Sequence, residues 1–131
     1  MDSIEICFMI NFTNRTELGR WGEQEALRYL CSQGYRMIRQ NYRCSFGEID
    51  LIAQEAEIWC FIEVKTRRNH YFGFGYEALN GAKKEHLIQS AYNYLQEHQL
   101  IDVPFRFDVV SIDFDSKGDF RIKLIKNAFC L

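Results

Sequence analysis

Residues 47–67 carry the sharpest hydrophobic–polar pattern in the chain. The runs Glu48-Ile-Asp-Leu-Ile-Ala53 and Glu57-Ile-Trp-Cys-Phe-Ile-Glu-Val-Lys-Thr-Arg67 alternate around a short polar turn, which predicts a β-hairpin. Asn14 followed by Glu17 resembles a capping pair, and Gly34 suits the position after a helix end, so a helix is predicted over about residues 15–33. At helical spacing Leu18, Gly22, Ala26, Tyr29 and Leu30 form its inner stripe, with Glu23 at the border. Residues 35–43 read as a strand with interleaved basic residues. A second helix over about 82–98 places Lys84, Leu87, Ile88, Ala91, Tyr94 and Leu95 at helical intervals. Residues 105–114 and 120–126 alternate as strands around the turn 115–119, and the single proline, Pro104, introduces the first of them. The expected order is α-β-β-β-α-β-β, an α/β fold without repeat, low-complexity tract or linker.

Length adds a limit: 131 residues suit one domain with a real core. Residues 1–13 read as a lead-in segment and 14–131 as the single domain. The apolar stretch from Ile4 to Phe12 is interrupted by Glu5 and Asn11 and preceded by Asp2, which does not read as a signal peptide. No run is long enough to span a bilayer, so no membrane partner is expected. The five cysteines are scattered, without a CxxC or Cys/His spacing; structural zinc is not indicated, and reduced thiols in the cytoplasm are. A net charge of −2 does not mark a nucleic-acid binder. It does not exclude one either, because clustered carboxylates would mask a local basic surface.

Candidate chemistry comes from three polar residues inside the hairpin. With the turn centred on Glu55-Ala56, Asp50 falls opposite Phe61 and Glu48 opposite Glu63. Period-two alternation then puts Glu48, Asp50, Ile52, Phe61, Glu63 and Lys65 on one face, and Ile49, Leu51, Ile62 and Val64 on the other. Asp50 and Glu63 become diagonal neighbours roughly 7–8 Å apart at the backbone. Carboxylates this close repel unless a proton or cation lies between them. Mg²⁺, or Mn²⁺, is the natural occupant, with the backbone carbonyl of Val64 as a further ligand. Lys65 is placed to hold or polarise a water for attack on phosphorus, and Glu23 completes the outer coordination if its helix packs across the sheet. The plainer alternative is a solvated Glu63–Lys65 ion pair with Asp50 and Glu23 as ordinary surface carboxylates.

Asp50, then Glu63-Val-Lys65 thirteen residues on, behind a helix bearing Glu23, resembles the PD-(D/E)xK nuclease motif. More closely, the chain resembles the YraN-type family of uncharacterised bacterial endonuclease-like proteins, related to archaeal Holliday-junction resolvases. The resemblance spans about residues 18–113. It is carried by Gly19-Arg-Trp-Gly-Glu23, Gly34-Tyr35, Asn41-Tyr-Arg43, Gly47-Glu-Ile-Asp-Leu-Ile52, Phe61-Ile-Glu-Val-Lys-Thr-Arg67, Phe72-Gly73, Lys83-Lys84 and Arg106-Phe-Asp-Val109. It implies a restriction-endonuclease-like fold, a central mixed sheet flanked by helices. It also implies a metal-dependent endonuclease acting on DNA, structured or branched, with Asp50 and Glu63 on the metal, Lys65 catalytic and Glu23 the auxiliary acid. Ile49 stands where the motif's proline would be. Symmetric cleavage of a branch would call for a homodimer.

Arg67, Arg68 and His70 follow the motif and are either phosphate contacts or a solvated strand end. Lys84 reads as the substrate-facing lysine of the second helix, with Lys83 the competing choice. His86 and His98 read as surface helix residues, and the loop from Tyr71 to Tyr76 either stacks on bases or caps the core. Arg106 and Asp108 share a strand face as a structural ion pair. Glu48, level with Glu63 in this register, is a possible fourth participant. Two other function classes fit the same pattern: a non-catalytic nucleic-acid-binding module, and a partner-binding domain using the aromatic loop.

Overall fold

The computed structural model describes residues 15–68 and 81–129. The expectations for the lead-in, Asn14, His70 and the aromatic loop lie outside them. Helix α1 (Arg15–Ser32) is followed by β1 (Arg36–Cys44), β2 (Gly47–Glu55), β3 (Ile58–Arg67), α2 (Gly81–Glu97), β4 (Phe105–Phe114) and β5 (Phe120–Ile125). This is the α-β-β-β-α-β-β order that the sequence predicts. One five-stranded sheet runs β1-β2-β3-β4-β5, with β3 and β4 parallel and the other neighbours antiparallel. Parallel pairing of β3 with β4 requires a crossover, and α2 lies on it. Among the described residues no helix is long and apolar enough to cross a membrane.

A helix covers each face. Ala26 and Leu30 of α1 pack with Leu51, Ala53, Ile62, Val110 and Ile112; Leu87, Ala91, Tyr94 and Leu95 of α2 pack with Tyr42, Ile52, Phe61 and Phe107. The alternation of β2 and β3 is therefore satisfied on both sides, as a doubly covered sheet demands.

The hairpin register differs from the expected one. Glu55 pairs with Ile58 and Ile52, not Asp50, pairs with Phe61. The turn is centred on Ala56-Glu57 because Ala56 adopts a left-handed conformation, φ 53°, which a tight two-residue hairpin favours. The shift is two residues, so side chains in the paired part of the hairpin, from Leu51 to Ile62, keep their predicted faces and only their opposite numbers change. Glu48 accordingly does not oppose Glu63; its cross-strand partner is Arg43 on β1. Ile49 is a second correction, since it packs in the α2 cluster beside its partner Tyr42 rather than with Leu51. Asn41, immediately before Tyr42, is also left-handed (φ 53°), and the alternation is broken at that point.

One end of the sheet is pinned by charge. Asp108, fully buried, accepts hydrogen bonds from Tyr35 Oη, Arg106 Nε and the Asn127 amide, each at 2.9 Å. Arg106 and Lys126 both reach Glu55 at 2.7 Å. The expected Arg106–Asp108 ion pair is thus present, inside a larger network that satisfies a carboxylate burial would otherwise penalise. Burial and the adjacent Asp108 raise the Tyr35 phenol.

Helix α1 approaches β3 closely at one point. A Cβ on Gly22 would stand 1.8 Å from Thr66 Oγ1 and 2.9 Å from Thr66 Cβ. Only a glycine permits this contact, and the next residue of the helix is Glu23. Gly22→Ala is expected to lower stability by about 1–3 kcal/mol through overpacking. Gly19→Ala, with nothing within 4 Å of the added methyl, should be neutral or stabilising. Paired urea titrations of the two variants test this; equal midpoints would show that the α1–β3 contact yields at little cost.

Candidate metal centre

The β2–β3 ladder runs from Glu55↔Ile58 to Leu51↔Ile62 and stops. Beyond it β2 stays with β1 as far as Gly47↔Cys44, while β3 stays with β4 as far as Arg67↔Asp113. The two central strands therefore part at Asp50 and Glu63, which continuing the register would set level with each other. Parting the strands leaves the Val64 amide without a β2 carbonyl, and it donates instead to Asp50 Oδ2 at 2.8 Å. In an extended residue N–H and C=O point to the same side of the strand, so the Val64 carbonyl faces this fork as well.

Asp50 and Glu63 are 9% and 6% exposed. Burial, then the neighbouring charge of Glu63, push the Asp50 carboxyl up to about 8, against the Val64 amide that favours its ionised form. Two ammonium groups converge on Glu63 Oε1: Lys83 Nζ at 2.8 Å and Lys65 Nζ at 3.4 Å. Burial and the adjacent Lys83 lower Lys65. Lys83 is raised, because its contacts with Glu63 and Lys65 outweigh the burial that opposes its charge. A cavity of about 240 Å³ opens onto Asp50 and Glu63, with Gly47, Glu48, Lys83, His86 and Leu87 completing its wall.

Glu23 reaches the fork from the α1 side. Its side chain hydrogen-bonds Asn41, and burial followed by the charges of Glu48 and Glu63 raise its carboxyl. Glu48 lines the cavity while its carboxylate pairs with Arg43 at 3.2 Å. The fold thus brings Glu23, Glu48, Asp50, Glu63 and Lys65 into one electrostatic neighbourhood. Lys84 is not part of it: its ammonium lies over the Phe129 ring, 5.4 Å from the centroid. Lys83 is the helix lysine that enters, and its neighbour Lys84 shares the first turn of α2, so nothing in the sequence distinguishes the two. Arg67 is half-buried on β3 beyond Lys65, its Nε without a hydrogen-bond partner among the described residues, and Arg68 is exposed at the strand end. His86 is exposed, as expected of a surface helix residue, and also borders the cavity.

The donor set fits a hard divalent cation: two nearly buried neighbouring carboxylates, with Asp50 raised by burial and then by the charge of Glu63, and the Val64 carbonyl on the same side of β3. Among the described residues no three acidic, histidine or thiol side chains stand together as a ready-made set of ligands. The ion would rest on Asp50, Glu63 and the Val64 carbonyl, with Glu23 reaching it through water. Lys83 occupies Glu63 in the meantime.

A family model for the uncharacterised protein family UPF0102 matches residues 22–112. A UPF0102 protein of Caldicellulosiruptor saccharolyticus is 41% identical over 117 residues, covering 88% of this chain and 99% of that one. One from Dehalococcoides mccartyi is 44% identical over 115 residues, covering 88% and 94%. One from Legionella pneumophila is 42% identical over 114 residues, covering 86% and 94%. The matched span contains every residue of the fork, from Glu23 to Lys83.

Asp50 sets the pH dependence of this site. Its folded value, about 8, lies above its ordinary value of 3.8, so between those limits the folded chain holds a proton that the unfolded chain releases. Its contribution to stability therefore falls as pH rises from about 4 to about 8. In EDTA, Asp50→Asn should melt above the wild type at pH 8.5 by about 4 °C or more and close to it at pH 4.5. Mg²⁺ should raise the melting temperature of the wild type and not of the variant. A variant melting below the wild type at pH 8.5 would show that the Asp50 charge is already compensated in the folded chain.

Proposed function

The chain belongs to the uncharacterised protein family UPF0102, and from that membership and the geometry of the fork we propose that it is a metal-dependent endonuclease hydrolysing phosphodiester bonds in DNA. One observation carries the reading: Asp50 and Glu63 lie side by side, nearly buried, where two strands separate, with Lys65 on Glu63. Such a pair is costly to the fold unless a cation shares it. Branched or otherwise structured DNA is the favoured substrate, by likeness to the resolvases that the sequence resembles. The free thiols of Cys31, Cys44 and Cys60 fit a reducing, cytoplasmic setting.

In this reading Asp50, Glu63 and the Val64 carbonyl would hold Mg²⁺. When bound, the ion lowers the pKa of a water and offsets charge developing on the phosphate oxygens. Lys65, half-buried and lowered, orients that water and takes up or returns a proton at Nζ. Lys83, 2.8 Å from Glu63, would give way to a bound cation and would then be placed to meet a phosphate oxygen. Glu23 would hold waters at the outer edge of such a site, from the position that Gly22 allows its helix to reach.

A second reading has its own support. Lys83 at 2.8 Å from Glu63 already supplies the positive charge that the carboxylates need, as it would in a nucleic-acid-binding module that keeps the fold without catalysis. The two separate experimentally. Purified protein is expected to cut at least one of a panel of junction, flap, single-stranded and duplex DNAs in Mg²⁺ or Mn²⁺. Lys65→Ala is expected to reduce the rate about 10²–10⁴-fold while retaining binding. Salt-sensitive binding with no cleavage of any substrate, in either metal, would favour the binding module.

A further inference from the structure

Two ammonium groups share one carboxylate oxygen at the fork, and their situations differ. Lys65 stands on β3 two residues beyond Glu63, its side chain 17% exposed and its Nζ 3.4 Å from Glu63 Oε1. Lys83 reaches the same oxygen at 2.8 Å from α2, which forms one wall of the cavity, and its side chain is 43% exposed. Lys65 is therefore fixed in the sheet, whereas Lys83 keeps its access to solvent. The first turn of α2 holds no acidic residue. A lysine there lies against the positive end of the helix dipole, and its contact with Glu63 offsets that repulsion.

Charge counting makes the second ammonium removable. With Asp50 and Glu63 both ionised as metal ligands, Lys65 and Lys83 balance them charge for charge. A divalent cation on the same two carboxylates supplies that balance alone, and it takes up the Glu63 oxygen that Lys83 holds. Like charges this close in a half-buried site repel. Lys83 is the one able to yield, because its stem starts on another element and its side chain already meets water. In the endonuclease reading the ion also brings a phosphate oxygen with it. That anion would stand in the cavity that Lys83 lines.

We propose that Lys83 passes from Glu63 to a substrate phosphate when the cation binds, so that cation and nucleic acid each strengthen the binding of the other. The exchange deepens the endonuclease reading and rests on it. Without nucleic acid, the cation must displace Lys83 and offers it no new partner. Without the cation, Lys83 stays on Glu63 and adds nothing to phosphate binding. With both present, the ammonium loses one anion and finds another. Such coupling is reciprocal: the cation tightens nucleic-acid binding by the same factor as nucleic acid tightens cation binding.

The experiment compares Lys83→Gln with Lys84→Gln, a charge-matched control one residue on, whose ammonium lies over Phe129 instead. Mn²⁺ binding is measured without DNA from the electron paramagnetic resonance signal of the free ion. Binding of fluorescein-labelled junction and single-stranded DNA is titrated by anisotropy between about 50 and 200 mM salt, in EDTA and in Ca²⁺, which also takes oxygen ligands. Lys83→Gln should bind Mn²⁺ at least about fivefold more tightly than the wild type, since the internal competitor is gone, and Lys84→Gln should not. Its DNA binding should match the wild type in EDTA. In Ca²⁺ it should be weaker, with the slope of log K against log salt reduced by about 1. Lys83→Arg, which keeps the charge, should restore that slope. Mn²⁺ binding unchanged or weakened in Lys83→Gln, or raised equally in Lys84→Gln, would overturn the exchange. So would a Lys83→Gln effect on DNA binding that is the same with and without Ca²⁺. Either result in a protein that still cleaves DNA would leave the endonuclease reading standing. A wild type that binds no divalent cation would end both.

Discussion

The separation of β2 from β3 after Leu51↔Ile62 is the constraint on which the rest depends. A ladder that stops inside a sheet leaves backbone groups to satisfy and buried space to fill. Here the Val64 amide finds Asp50, and the space becomes the cavity in front of Glu63. Each strand remains anchored on its outer side, β2 to β1 and β3 to β4, so the opening is held rather than frayed. The charged network of Glu55, Arg106, Asp108 and Lys126 ties the hairpin to β4 and the segment after β5. The sheet is thereby closed at the turn end and open where the carboxylates stand.

That arrangement places electrostatic cost where chemistry would use it. Asp108 is more buried than Asp50, but three donors satisfy it. Asp50 has one backbone donor and a carboxylate for a neighbour, and it is displaced to about 8. Two aspartates of one sheet therefore differ by environment alone: one is structural and satisfied, the other is left wanting a proton or a cation.

Much of this was legible in the sequence. Element order, the two faces of the hairpin except at Ile49, and the joint position of Asp50, Glu63 and Lys65 follow from period-two and helical spacing. The register did not follow, because an alanine at positive φ gives no composition signal, and the difference between an Asp50–Glu63 diagonal and a level pair depends on it. Nor could spacing choose between Lys83 and Lys84, adjacent residues whose directions differ by about 100° around α2. The rotation of that helix against the sheet decides, and it sends Lys83 to Glu63 and Lys84 to Phe129. Glu23 depended on a contact between elements distant in sequence, which Gly22 allows and no local pattern announces.

The outer strands have a bearing on self-association. Unpaired strand edges are templates for adding another strand, and proteins discourage this with charges and irregularities. Strand β1 carries exposed Arg36, Arg39 and Arg43 and a register shift between Met37 and Arg39; β5 is short and carries exposed Arg121 and Lys123. Two copies meeting edge to edge would bring like charges together along a broken hydrogen-bonding line. Continuous sheet extension is thus the geometry this molecule resists, and any closed pair of chains would have to join through helices or loops.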